Sequence, residues 1–390
     1  MTHPFAFRLV LTVLLAAAGL AGCERPPVTA EQRGYRGLAM DQITNPRRVA
    51  ATAALHQPPA AVPELPSGGP LAKDVFKNVQ VLGDLGVNEL TRTMLAITAW
   101  LGPKEGCNYC HVPEDLSLDT KYTKVVARRM LQMTRHINND WQPHVAATGV
   151  TCYTCHRGQP VPARVWFSDP GPRRAGGTTA DSAGQNVAAV QAALTALPYD
   201  PLTPFLLKGT PIRVVSPTAL PAGNRQDIKQ TEWTYGLMSY ISQSLGVNCT
   251  FCHNSRNFGD WSQSPPQRLT AFHGIRMTRE LNNDYMLPLT SVFPATRRGE
   301  LGDVAKIGCA TCHVGVSKPL YGVPLAKDHA QALQAPPPKP AAAATPQARL
   351  PLEPSAPSAP SATAPRAPAG TAGAVQLVAD RRAADPTAVR

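Results

Sequence analysis

Residues Gly149–Gly158 read GVTCYTCHRG, two cysteines separated by two residues with a histidine directly after the second. Such a frame can hold a metal, act as a redox-active dithiol or anchor a cofactor. The remainder of the chain decides among these.

The frame occurs four times. Cys107 and Cys110 precede His111 in CNYCH, Cys152 and Cys155 precede His156 in CYTCH, Cys249 and Cys252 precede His253 in CTFCH, and Cys309 and Cys312 precede His313 in CATCH. Each is C-x-x-C-H, the covalent c-type haem attachment sequence: both thiols add to porphyrin vinyl groups, and the histidine reaches the iron as its proximal ligand. Zinc knuckles space their pairs to close one site, whereas these motifs start 45, 97 and 60 residues apart. A thioredoxin-like reading needs a βαβ context, and neither it nor disulfide pairing explains a histidine after every pair. The sequence therefore implies four covalently attached c-type haems.

Composition agrees. The 390 residues include 40 prolines and only 6% aromatics, which leaves little material for large all-protein cores, and four macrocycles supply apolar bodies for short helices to pack around. The formal charge of +12 has no Lys/Arg run interleaved with aromatics, so no nucleic-acid footprint is present. Haem propionates, two per haem, offset part of it. The ninth cysteine, Cys23, ends FAFRLVLTVLLAAAGLAGC, which has a basic start, an apolar run and a small-residue finish. That run is short for a membrane span and reads as a secretory signal over residues 1–22. LAGC resembles a bacterial lipoprotein signal, so Cys23 is expected to be lipidated and to hold the chain on the outer face of the membrane.

Residues 23–70 read as an extended, irregular arm, 71–168 as a first dihaem half, 169–198 as a connector and 199–325 as a second dihaem half. The Pro/Ala-rich residues 326–390 read as a disordered tail. The halves repeat. MLAITAWLG before the first cysteine pair aligns with MSYISQSLG before the third, and MTRHINNDW before the second with MTRELNNDY before the fourth. Apolar spacing and absence of internal proline predict helices over Glu89 to Leu101, Lys124 to Ile137, Glu232 to Leu245 and Gln267 to Leu281, one ahead of each motif.

What fills each iron's sixth position separates a carrier from a catalyst. Met94 and Met238 hold equivalent places on the helices before the first and third motifs, and Met130 lies on the helix before the second. Met133 competes with Met130 on nearly the same face; its counterpart is Met277, while that of Met130 is Gly274. If Met130 is the ligand, the fourth haem must borrow one. His136, His144 and His273 are candidates, with His56 and His329 in irregular segments, and His144 is preferred because the helix is expected to have ended at Pro143.

With RRMLQMTRHINNDWQPHVAATGVTCYTCHRG, four motifs in duplicated halves, a Met, Met, Met, His ligand set and LAGC, residues 1 to about 325 resemble the tetrahaem cytochrome c subunit of purple-bacterial photosynthetic reaction centres. The resemblance implies a mainly α fold with few short strands, a multihaem cytochrome of two pseudo-symmetric dihaem halves. It implies axial pairs His111 with Met94, His156 with Met130, His253 with Met238 and His313 with His144. It also implies seating on the L and M subunits, with H and light-harvesting subunits in the assembly, at the periplasmic face of the photosynthetic inner membrane. There the subunit re-reduces the bacteriochlorophyll special pair, is refilled by a soluble cytochrome c or high-potential iron-sulfur protein, and has its haems in a line with the third nearest that pair. With no open iron, an electron-transfer protein rather than an enzyme is expected. A multihaem reductase would need an open iron, a quinol-oxidising cytochrome a true membrane helix, and a zinc scaffold would lack haem altogether.

Overall fold

A computed structural model describes residues 27–33, 40–66, 68–169, 197, 200–212, 214 and 227–334. The signal, Cys23, residues 170–196 of the connector and everything from 335 onward lie outside them. The described chain is mainly helical, with one two-stranded antiparallel sheet of β1 (Thr29–Gln32) and β2 (Asp41–Thr44), Thr29 opposite Thr44.

In the arm, the hairpin leads into α1 (Pro46–Thr52), where Asn45 caps the helix by accepting from Arg47 N at 3.0 Å and Pro46 needs no donor. The arm is thus partly regular where an irregular run was expected. A single turn, α2 (Ala72–Val75), precedes α3 (Val87–Leu101), which carries Met94. Then come α4 (Tyr122–Asp140), the turn α5 (Gln142–Val145) and the second motif itself, α6 (Cys152–His156). The second half has α7 (Thr203–Leu206), α8 (Ile228–Leu245), α9 (Gln267–Leu281) and the fourth motif as α10 (Cys309–His313). The turn α11 (Ala330–Leu333) closes the described chain.

All four predicted helices are present, extended by up to four residues at their ends. Asp227 supplies the missing start of α8: its side chain accepts from Gln230 N at 2.8 Å while Gln230 returns a bond to Asp227 N. Gly246 ends it at φ +64°, where a β-carbon would also run into the carbonyl of Gly315. Pro143 does not end α4, which stops at Asp140; it is tolerated inside the first turn of α5.

The two halves repeat at the level of single hydrogen bonds. Asn138 on α4 donates to Val150 O (3.0 Å) and Leu333 O (2.9 Å) and accepts from Val150 N (2.7 Å). Asn282, its counterpart after α9, donates to Ile307 O (2.9 Å) and Leu206 O (3.1 Å) and accepts from Ile307 N (2.8 Å). Each asparagine ties a long helix to the residue two before a motif and to one short turn. Arg135 and Arg279 add the matching bonds, to Ala332 O (2.8 Å) and Phe205 O (2.9 Å).

That pairing corrects one boundary. The turn serving the second half, α7, opens that half in the chain, whereas the turn serving the first half, α11, comes after the second half. Residues 326–334, expected in a disordered tail, instead pack on the first half, with Ala332 and Leu333 fully buried beside Leu82, Leu85, Trp100 and Leu131. A second core, Met133, Ile137 and Trp141 against Met277, Leu281 and Met286, joins α4 to α9 across the halves.

Candidate functional site

The four motifs adopt two local shapes, alternating along the chain. The first and third begin as 3-10 turns, Cys107–Tyr109 and Cys249–Phe251, and the second and fourth are the short helices α6 and α10. In α6, Thr151 N donates to Thr154 Oγ1 at 3.0 Å; in α10, Gly308 N donates to Thr311 Oγ1 at 2.9 Å. Arg157 and Val314, directly after the two histidines, both take left-handed conformations with φ +53°.

Every motif histidine has the same second contact. Nδ1 of His111 donates to Leu116 O (3.0 Å), that of His253 to Phe258 O (2.9 Å), that of His156 to Gln159 O (2.9 Å) and that of His313 to Val316 O (3.0 Å). A carbonyl can only accept, so Nδ1 carries the hydrogen and Nε2 keeps its lone pair. Metal-binding histidines are held in this way by an outer partner that fixes tautomer and ring direction. Burial pulls His156 and His313 down to about 4 and also lowers His253, so these rings are neutral near pH 7, the form a metal takes.

The thiols do not resemble a redox dithiol, whose nucleophile is acidified. Burial pushes Cys152 and Cys309 up to about 12 and Cys252 up to about 11; the contact between Cys155 and Cys312 raises the first and lowers the second, but these two belong to different motifs and neither is an acidified thiol paired within its own frame. None of the eight forms a disulfide. The second and fourth motifs lie side by side, with Cys155 against Cys312 and Arg157 Nη2 donating to Cys312 O at 2.9 Å.

Two features test the fit of haem. A mainly apolar cavity of about 570 Å³ is lined by Met94, Cys107, Cys110 and His111 together with residues 75–82, a size suited to a cofactor (roughly 300–1,000 Å³). The other is at His144. Its Nδ1 donates to Thr270 O at 3.0 Å, its ring lies on Gly274, and its centroid is 6.0 Å from that of His313. Two imidazoles on opposite faces of one metal, with bonds of about 2 Å, place their centroids about 6 Å apart. The residues present fit the group.

The other sequence candidates separate. Met130 packs at the edge of the core joining the halves, while Met133 and its counterpart Met277 are both inside it. Met238 and Cys249 line a larger cleft of about 1540 Å³ between the hairpin, residues 163–169 and α8; His253 is not on its wall. His136 has both nitrogens committed, Nδ1 in hydrogen-bond contact with Asp140 Oδ2 at 2.6 Å and Nε2 with Glu280. His273 is half-buried beside Phe272. His56 is buried against Tyr321, and His329 stands edge-on to Trp100 with Nδ1 3.8 Å from Glu89. Sequence reading missed the carbonyls that orient the motif rings, which no side-chain pattern announces. Asp140, four residues after His136 on one helix face, was a visible signal that this ring already had a partner.

Residues 24–333 match the family described as photosynthetic reaction centre cytochrome C subunit. The chain belongs to that family. Among its relatives, the photosynthetic reaction center cytochrome c subunit of Rubrivivax gelatinosus is 56% identical over 321 residues, 82% of this chain and 87% of the relative. Those of Thermochromatium tepidum and Roseobacter denitrificans are 51% identical over 321 residues (82% and 79% of the two chains) and 41% identical over 346 residues (84% and 93%). Membership brings electron transfer in photosynthesis, covalently bound haem, and association with a reaction centre at a membrane. Among the described residues, no helix is long and apolar enough to cross a membrane.

Proposed function

We propose that the chain carries four c-type haems, each attached through one cysteine pair, and re-reduces the photo-oxidised special pair of a reaction centre. The axial pairs are His111 with Met94, His156 with Met130, His253 with Met238, and His313 with His144. The approach of His144 and His313, drawn from different halves of the molecule, to a centroid distance of 6.0 Å carries this reading. Bound haem would supply the one-electron iron couple; the protein sets its potential through the axial ligands, methionine giving a higher value than a second histidine. The backbone carbonyls that hold Nδ1 of His111, His156, His253 and His313 keep the four rings aimed. With Met94, Met130, Met238 and His144 opposite the motif histidines, the irons would have no position left for a substrate, which fits a relay rather than an enzyme.

On this reading it sits on the L and M subunits, within the assembly that includes H and light-harvesting subunits, at the periplasmic face. It is anchored there by lipid on Cys23 and refilled by a soluble cytochrome c or high-potential iron-sulfur protein. Two dihaem halves, 71–168 and 199–325, are the functional units, the first completed by residues 326–334. A single saturating flash on isolated membranes tests the role: oxidation of the c-type haem band should track recovery of the bleached bacteriochlorophyll. Haems that stay silent under light would sink it.

A further inference from the structure

His144 lies in the first half but faces His313 in the second, so something must hold its turn against the other half. The turn α5 is preceded by Trp141, its N-cap, whose carbonyl accepts from His144 N (2.9 Å) and Val145 N (3.0 Å). Trp141 is buried in the core between α4 and α9, and its indole Nε1 points across the halves to Glu280 Oε1 at 3.3 Å, with His136 Nε2 of its own half at the same 3.3 Å. Three points of α9 therefore receive this segment: Thr270 O takes Nδ1 of His144, Gly274 takes its ring, and Glu280 takes the tryptophan at its root. We propose that Glu280 is a positioning residue for the fourth haem, fixing His144 over His313 by accepting the Trp141 indole; this rests on the bis-histidine reading above.

The repeat supplies a built-in comparison. Glu280 occupies the place of His136 in the duplicated unit, and Tyr285 that of Trp141. The mirrored contact across the halves, His136 with Tyr285, is a ring stack at 5.6 Å and 26° rather than an indole-to-carboxylate bond. On that side Met286, which follows Tyr285, turns into the core, and Arg129 of α4 holds the segment by lying over the Tyr285 ring at 4.5 Å and donating to Asp284 O. The two halves thus differ where one of them must export a ligand. His136 Nε2 is itself in hydrogen-bond contact with Glu280, so the ring packs against both the indole and its acceptor from α4.

The test uses the intact membrane-bound complex and reads the spin state of each haem by electron paramagnetic resonance. Glu280→Ala and Trp141→Phe should each convert most of the fourth haem to high spin, leave the other haems low spin, and regain low spin on adding imidazole. Glu280→Gln, which keeps an acceptor oxygen, should stay low spin. A fourth haem that remains low spin in both Glu280→Ala and Trp141→Phe overturns the positioning role, and so does Glu280→Gln behaving like Glu280→Ala. His144→Ala separates the premises. High spin there with unaffected Glu280 and Trp141 variants refutes only the positioning; low spin there refutes the bis-histidine pair and the proposal with it.

Discussion

Gly274 occupies the repeat position of Met130, and the consequence is steric before it is chemical. A β-carbon at 274 would lie 2.5 Å from Cε1 and 2.9 Å from Nδ1 of His144, too close for either atom to stay. The α9 backbone on one side and the His144 Nδ1 bond to Thr270 on the other leave little room to relax. Gly274→Ala should therefore cost about 1–3 kcal/mol through overpacking and displace the imidazole, although alanine favours the helix itself. A denaturation midpoint lower than wild type together with a weakened low-spin signal from one haem is the expected result. An unchanged midpoint would mean that the ring has somewhere else to go. His329 gives a second residue-level expectation, with an acid direction. Burial, with Arg92 nearby, lowers it to about 4 from an ordinary 6.5. Between those values the unfolded chain binds a proton that the folded chain refuses, so stability falls as pH drops through that window. His329→Phe keeps an aromatic ring beside Trp100 and should flatten the loss, read as urea midpoints measured across the same interval.

At the scale of elements, the two asparagines are the joints. Asn138 makes three bonds and Asn282 three, all to backbone groups that are otherwise without a ladder. Net values near 1 kcal/mol per bond put Asn138→Ala at about 2–4 kcal/mol, the upper end applying if buried carbonyls stay unpaired. Loss of protection from proteolysis should appear first at residues 330–333, because Leu333 O is one of the freed groups; equal stability of mutant and wild type would show that the turn docks through its apolar side chains alone. The same joint explains which parts of the fold could be read in advance. The long helices carry their own signal in apolar spacing, and the motifs carry theirs in three fixed letters. The turn Ala330–Leu333 has neither, being four residues of AQAL at the edge of a Pro/Ala-rich stretch. It is ordered by acceptor carbonyls that Asn138 and Arg135 require, a need visible only once α4 is in place. The sixth ligands fall between these cases. Methionines on equivalent helices are legible, but choosing His144 over His136 depends on who else holds each ring.

Over the whole molecule, attachment to the membrane needs its own account. The described helices include none able to cross a bilayer, while the family works at one. On the proposal that Cys23 is acylated, two independent attachments act together: the lipid, and the protein surface seated on the L and M subunits. A lipoprotein cysteine carries more than one acyl chain, and two chains are enough for stable anchoring where a single one binds only marginally. The additive logic makes the outcome of removing either one distinct. Cys23→Ser should leave the subunit in the membrane fraction of cells that make L and M, because the protein contact remains. In cells lacking L and M, the wild type should still sediment with membranes, whereas Cys23→Ser should appear in the soluble periplasmic extract. Mass spectrometry of the wild-type N-terminus should give a chain starting at Cys23 with acyl mass added. A Cys23→Ser chain that stays with membranes devoid of L and M would show that some other part of the polypeptide holds it there, and would remove the lipid from the account.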